Sequence, residues 1–260
     1  MTRKCFFVPE VVADTKQLEL SARLSRQLET VLRAKAGESI EVLDANGLAW
    51  ECVITAMRPG KVTVSVLGRL DRPACEAPLF LTLGLGIARP DTMDLIIRQA
   101  TEMGVSRLAL FRAARSQYGL SGKPAENKRE RWARIAIEAV CQCGRRVVPE
   151  IVLFGGLADF LVSFENDPQG GELKIFASEP GLCPGPKGLS ARTTALTKGR
   201  IAAVLGPEGG WASSESSALI DAGFEPVSLG PRTLRMETAA VALISSIQLL
   251  WGDMGEGRSG

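Results

Sequence analysis

Two short segments of the chain set charged side chains among glycines: LGPEGGWASSE at residues 205–215 and SLGPRTLRMETA at 228–239. The first places Glu208 between Gly206 and Gly209, and the second places Arg232, Arg235 and Glu237 behind Gly230 and Pro231. Glycine lets a ligand approach the main chain and admits positive φ, while proline stiffens the turn and removes a donor. Carboxylates beside such loops can move protons, and guanidinium groups can hold anions. Each segment follows a short apolar run and leads into a helix, so the two read as walls of one backbone-lined pocket. That pocket suits a compact polar cofactor. A helix start with a dipole-offsetting acid accounts for Glu237 but for neither arginine.

Other chemistries lack their signatures. Gly84-Leu85-Gly86 follows a strand, but Arg89 stands where a dinucleotide fingerprint needs its third glycine, and no acidic residue closes a strand about twenty positions on. No G-x-x-x-x-G-K-[ST] occurs. The chain has no histidine, which excludes Ser-His-Asp and Cys-His nucleophile systems and imidazole metal ligation. Cys141-x-Cys143 has no second close pair, so no metal site is expected.

The elements that must carry the two segments are legible in the apolar pattern. Residues 1–73 read as a small β-rich unit: Ile40 and Val42 alternate towards Asn46-Gly47, a hairpin turn, and Trp50, Cys52 and Ile54 alternate away from it. Val62, Val64 and Val66 give a further strand. Between Thr15 and Ala36, Leu20, Leu24, Leu28, Val31 and Leu32 have helical spacing. Residues 71–78, with Pro73 and Pro78, read as a linker.

From Leu79 the pattern becomes strand, loop, helix, repeated, which predicts a mostly parallel sheet covered by helices across residues 78–254. Strands are expected at 80–87, 107–111, 150–154, 174–177, 200–205 and 226–229. Asp91 is expected to cap a helix bearing Met93, Ile96, Ile97 and Ala100. A helix over 126–143 aligns Trp132, Ile135, Ala136, Ala139, Val140 and Cys143 on one stripe, which marks Trp132 and Cys143 as core residues. Ser213 or Ser214 is expected to cap the helix after the first glycine segment. The stretch EPGLCPGPKG (179–188) is expected to be a loop.

The 260 residues are 45% hydrophobic and 23% charged, with a net charge of +2, ordinary for a globular protein. Residues 112–146 nevertheless hold nine Lys/Arg against three glutamates. Such a local excess fits a phosphate-binding face or a solvated helix flank. No apolar run approaches the roughly 18–20 residues needed to span a bilayer. The first ten residues, MTRKCFFVPE, lack an apolar export core, and six scattered cysteines suit reduced thiols, so the expectation is a cytoplasmic protein.

Taken together, LGPEGG and SLGPRTLRMETA resemble the signature of the RsmE family within the SPOUT methyltransferases. The resemblance extends to Thr101-Glu102-Met103-Gly104-Val105, Arg115-Ser116, Gln142-Cys143-Gly144-Arg145 and Pro149-Glu150-Ile151, in family order, and covers residues 80–253 best. It implies a PUA-like RNA-binding barrel followed by an α/β domain with a deep C-terminal trefoil knot, assembled as a homodimer. It also implies S-adenosylmethionine as methyl donor and N3 of one uridine in 16S ribosomal RNA, within the small ribosomal subunit, as acceptor. The matching cofactor positions are Leu205, Gly206, Glu208, Gly209, Leu229, Gly230, Leu234 and Arg235. The implied catalytic roles fall to Arg235, stabilising a developing uracil anion, and to Glu208 or Glu237, orienting it or taking its proton. RNA phosphates would meet Arg3, Arg33, Arg112, Arg115, Arg145 and Arg146.

The chain departs from the family pattern at Gln27 or a neighbour (usually histidine), at Gln99 (usually lysine), at Ala114 (usually acidic) and at Cys141 (usually glutamate). None lies in the two glycine segments, so the methyl donor is better marked than the acceptor. Ribose 2′-O methylation, another base, and a non-catalytic RNA-binding assembly factor are the alternatives. Intact Glu208, Arg232, Arg235 and Glu237 speak against the last.

Overall fold

The structure is a computed structural model that describes residues 4–71, 75–119, 123–165, 172–179, 187–189, 196 and 199–255. The chain divides into two compact units. One is Met1–Glu76 together with Val140–Val148, and the other is Ala77–Ala139 together with Pro149–Gly260.

In the first unit, strands β1 (Cys5–Phe7), β2 (Gln17–Glu19), β3 (Ser39–Leu43), β4 (Ala49–Arg58) and β5 (Lys61–Arg69) form a sheet ordered β1-β3-β4-β5-β2. The β3–β4 hairpin pairs Val42 with Trp50 and Ile40 with Cys52, which sends Val42, Cys52 and Ile54 into a core shared with Phe6, Leu28 and Val64. Asp44 organises its turn: Oδ1 accepts the amides of Asn46 and Leu48, and Oδ2 accepts Trp50 Nε1 at 3.0 Å.

The helix expected over residues 15–36 is shorter than its leucine spacing suggests. Residues Gln17–Glu19 pair antiparallel with β5 instead, because the free β5 edge satisfies their backbone groups. Helix α1 (Ala22–Arg26) follows, with Ser21 Oγ accepting the Leu24 amide, and runs into a π-helical turn over Gln27–Val31. Ser25 is fully buried: its hydroxyl donates to the Leu20 carbonyl and accepts the Val62 amide. Leucines of this stretch thus reach the core through a strand and two helical turns.

The unit also takes the last turn of the long helix Lys123–Cys143 and the chain that follows it, Val140–Val148. Val140 is buried against Leu43 and Ala49, with Cys141 and Val148 packed on them. The division is therefore not the single cut at residues 73–78 that the sequence suggests. Val140–Val148 is apolar enough, and Glu76 is placed, to draw it into the first unit.

In the second unit, seven strands form a wholly parallel sheet ordered β10-β12-β9-β11-β6-β7-β8. They are β6 (Phe80–Gly86), β7 (Arg107–Phe111), β8 (Glu150–Phe154), β9 (Leu173–Ala177), β10 (Lys187–Gly188), β11 (Arg200–Leu205) and β12 (Glu225–Ser228). Helices α2 (Pro90–Glu102), α3 (Lys123–Cys143), α4 (Leu157–Glu165), α5 (Ser213–Asp221) and α6 (Met236–Trp251) connect and cover them. β6 and β11 are unbroken apolar runs because both of their faces are covered. Phe111, Phe160, Phe176, Phe224 and Trp211 form an aromatic cluster in the core of this unit.

Two helix starts differ from expectation. Arg89 is the cap of α2, with Pro90 at its first position and Asp91 within the first turn. Ala212 precedes α5, and Glu215 Oε2 reaches back to the Ala212 amide at 3.1 Å, so a residue without a polar side chain suffices there. Most of the loop expected at 179–188, including Cys183, lies outside the described residues.

Candidate functional site

In a parallel α/β sheet, ligands bind outside the carboxyl ends of the strands. Here β6, β11, β9 and β12 lie side by side and end together, so the loops leaving them converge. They bound a cleft of about 610 Å³, within the usual range for small-molecule sites. All eight expected cofactor positions, Leu205, Gly206, Glu208, Gly209, Leu229, Gly230, Leu234 and Arg235, line it, as do Arg232 and Glu237.

The first glycine loop owes its path to close packing. A Cβ on Gly86, at the end of β6, would lie 2.7 Å from the nitrogen of Pro207, so only glycine lets the strand run beneath the loop. Gly210 has φ +70, and a Cβ there would collide with the carboxylate of Glu179. Trp211 is fully buried and donates Nε1 to the Ala177 carbonyl at 2.9 Å. Its ring also backs Gly206. The loop is thus pinned at both ends to neighbouring strands.

The second loop begins with Ser228, whose Oγ accepts the Gly230 amide at 3.2 Å. It ends where Arg235, in extended conformation, precedes α6 and its carbonyl accepts the Ala239 amide. Glu237 lies in the first turn of α6. The side chains of Arg232, Arg235 and Glu237 make no hydrogen bond or ion pair with any described residue. Three charged groups thus face the cleft with their valences open to a ligand.

Glu208 differs. Its Oε1 accepts the Thr92 hydroxyl at 2.9 Å, and Arg89 Nε lies 3.8 Å from the same oxygen. Sequence reasoning missed Arg89, Thr92, Glu179 and Trp211 as site residues. Arg89 reads in the sequence only as the residue in place of a third fingerprint glycine, and no local pattern joins Thr92 to a residue 116 positions away.

The expected RNA contacts are spread over both units. Arg112 and Arg115, in the second unit, are exposed. Arg115 Nη1 also donates to the Gly209 carbonyl at 3.2 Å, and the neighbouring Ala114 amide donates to Glu215 Oε1. The segment after β7 is therefore fastened to the first glycine loop. In the first unit Arg33 is exposed, with φ +47, and Arg146 is half-buried. Arg145 does not face solvent as the expected RNA contact would. It is 3% exposed, and its Nε and Nη2 lie 2.9 and 2.8 Å from Glu76 Oε2. Glu76 Oε1 accepts the amides of Arg146 and Val147. Arg145 is thus a structural ion pair in this unit and not a surface cation. Arg3 lies outside the described residues.

Of the departures, Ala114 serves through its amide, Cys141 packs against the first unit's core, and Gln27 opens the π-helical turn. Gln99 Oε1 is buried without a hydrogen-bond partner among the described residues, and nothing in the structure explains it. No helix of the described residues is long and apolar enough to cross a membrane. No group of three or more His, Cys, Asp or Glu side chains among them is placed to hold a metal ion.

Residues 75–248 match the model of an RNA methyltransferase domain, and residues 30–67 match that of an RNA methyltransferase PUA domain. Ribosomal RNA small subunit methyltransferase E of Bacillus subtilis is 32% identical over 238 residues, covering 86% of this chain and 88% of that protein. Its Synechocystis counterpart is 30% identical over 253 residues, 96% of this chain and 78% of that protein. A crystal structure of ribosomal RNA small subunit methyltransferase E from Neisseria gonorrhoeae, bound to S-adenosylmethionine, superposes with a TM-score of 0.82 at 30% identity. It covers 97% of this chain and 99% of that one.

Proposed function

Since this chain belongs to the ribosomal RNA small subunit methyltransferase E (RsmE) family, we propose that its cleft binds S-adenosylmethionine and that the enzyme methylates N3 of one uridine in 16S ribosomal RNA. The observation that carries the reading is the convergence of both glycine loops, with Glu208, Arg235 and Glu237, on one cleft. The residues fit the cofactor: main chain of residues 205–210 and 229–235 offers donors and acceptors for an adenosine, and the carboxylates complement its cationic groups. S-adenosylmethionine supplies an electrophilic methyl group on a sulfonium.

The chain's own residues have the remaining work. A uracil N3–H must give up its proton, and the anion that forms needs a cation beside it. Arg235, exposed at the start of α6 and without a partner among the described residues, is assigned that role. Glu237 has both carboxylate oxygens open and is assigned proton acceptance. Glu208, with one oxygen already engaged by Thr92, orients. No covalent nucleophile is required, so positioning dominates.

The exposed Arg112 and Arg115 of the second unit and Arg33 of the first are assigned to RNA phosphates. A homodimer is part of the reading, supported by the exposure of Leu249 and Leu250 on α6. So are the trefoil knot, through the family, and a cytoplasmic location, through a ribosomal substrate.

Calorimetry tests the donor. S-adenosylmethionine should bind with one site per chain, and Arg235→Ala should lower methyl transfer about a hundredfold or more, as loss of a transition-state charge contact does. An Arg235→Ala protein with full transfer and unchanged cofactor affinity would sink the assignment.

A further inference from the structure

We infer that Thr92 is a positioning residue: its hydroxyl, with Arg89 beside it, holds the Glu208 carboxylate and the loop at residues 206–210 in ligand-ready form before any cofactor binds. The inference rests on the cofactor reading above for its purpose, but its structural content does not.

Thr92 lies in the first turn of α2 and is 7% exposed. A threonine there usually finds a local backbone partner. This one instead reaches Glu208 Oε1 across 116 residues of chain, at 2.9 Å. Arg89 adds a looser contact, 3.8 Å to the same oxygen, and its side chain is 62% exposed. Solvent-screened pairs of that kind contribute little, so the buried hydroxyl carries the clamp and Arg89 supplements it. Oε2 of Glu208 keeps no partner among the described residues, on a side chain that lines the cleft. One oxygen is anchored and the other is left to the ligand.

The rest of the loop is braced by other elements. Trp211 fixes its far end to Ala177, Arg115 holds the Gly209 carbonyl, and the Gly210 amide closes on the Pro207 carbonyl at 2.9 Å. Glu208 sits on the stretch that contains Gly209 and Gly210, the least restrained residue types. Without Thr92 that stretch keeps more conformations, and a ligand that needs one of them binds more weakly in proportion to its population.

The test compares Thr92→Val, which keeps shape and removes the hydroxyl, with Thr92→Ser, which keeps the hydroxyl. Hydrogen exchange of the ligand-free protein reads the clamp directly, and calorimetry with S-adenosylmethionine reads its consequence. In Thr92→Val the Gly210 amide, which closes on the Pro207 carbonyl, should exchange about fivefold faster and the Kd should rise about fivefold, the size expected for one lost hydrogen bond. Thr92→Ser should restore both. In a Glu208→Ala background, Thr92→Val should add nothing, since the hydroxyl acts through that carboxylate. Unchanged exchange in Thr92→Val overturns the inference, as does a full further loss in the Glu208→Ala background. Faster exchange with unchanged affinity overturns the ligand-ready role. A wild-type chain that binds no S-adenosylmethionine removes the functional reading, and the exchange pattern still decides the clamp.

Discussion

Trp211 Nε1 donates to the carbonyl of Ala177 at 2.9 Å, joining the loop that leaves β11 to the end of β9, its neighbour in the sheet. The indole also stacks near Phe111 and meets Phe176 edge-on, with centroids 6.3 and 6.1 Å away. One side chain therefore couples the aromatic core to the wall of the cleft. Trp211→Phe keeps most of the packing and strands the Ala177 carbonyl, at a cost of about 1–3 kcal/mol. Trp211→Ala adds a cavity and should cost roughly 3–5 kcal/mol. Urea titration checks both, and cofactor affinity should fall even in the phenylalanine variant, where the fold persists.

Gly210 makes a sharper test of the loop itself. With φ +70, Gly210→Ala meets backbone strain of about 1–2 kcal/mol, while the exposed Glu179 carboxylate that a Cβ would meet is free to swing aside. The expected result is a Kd for S-adenosylmethionine about tenfold higher, with no recovery from Glu179→Ala, since the strain lies in the backbone. Gly223, also at positive φ but with open space around it, provides the comparison: Gly223→Ala should affect stability alone.

Arg145 and Arg115 should separate structure from RNA binding. Breaking the buried Arg145–Glu76 pair leaves an uncompensated charge, and Arg145→Met should lower stability by roughly 3 kcal/mol, read by thermal unfolding. Arg115→Ala should barely change stability. It should reduce the salt dependence of RNA binding, the slope of log K against log salt, by about 0.7–0.9. If Arg145→Met lowered that slope and left stability intact, the placement of Arg145 as a structural residue would be wrong.

Cys52 sets an alkaline limit on the first unit. Burial, followed by the neighbouring charge of Glu51, pushes its thiol from 9.0 up to about 11. The folded chain therefore holds the proton more tightly than the unfolded chain does. The stabilisation is complete below pH 9 and is lost as pH rises from 9 towards 11. Denaturation midpoints should fall across that window, and less steeply in Cys52→Ala. Alkylation at neutral pH should spare Cys52 until the unit unfolds.

What the sequence could reveal followed from how local each cause is. β6, β7 and β11 were readable because a strand covered on both faces must be an unbroken apolar run, and turns bound each one. The α2 face of Met93, Ile96, Ile97 and Ala100 was readable for the same reason, and all four are fully buried. The stretch at 15–36 was not, because the free edge of β5 competes for residues 17–19 and periodicity carries no record of that edge. The two glycine loops announced the cleft, since their composition is dictated by close main-chain contacts. The long-range partners stayed hidden: Thr92 for Glu208, Glu76 for Arg145 and Ala177 for Trp211 lie between 34 and 116 residues apart. Charge counting placed Arg145 on the surface because its carboxylate partner belongs to a distant stretch of chain.

Methyl transfer from S-adenosylmethionine to N3 of a uridine in small-subunit ribosomal RNA is the reaction proposed for the cleft between the two glycine loops. Its most direct measurement is mass-spectrometric mapping of methylated nucleotides after small ribosomal subunits lacking the modification are incubated with the purified protein and isotope-labelled cofactor. The account predicts label in N3-methyluridine at a single position, absent when Arg235→Ala replaces the wild-type protein. Label on a ribose, on another base, or at undiminished yield with Arg235→Ala would contradict it.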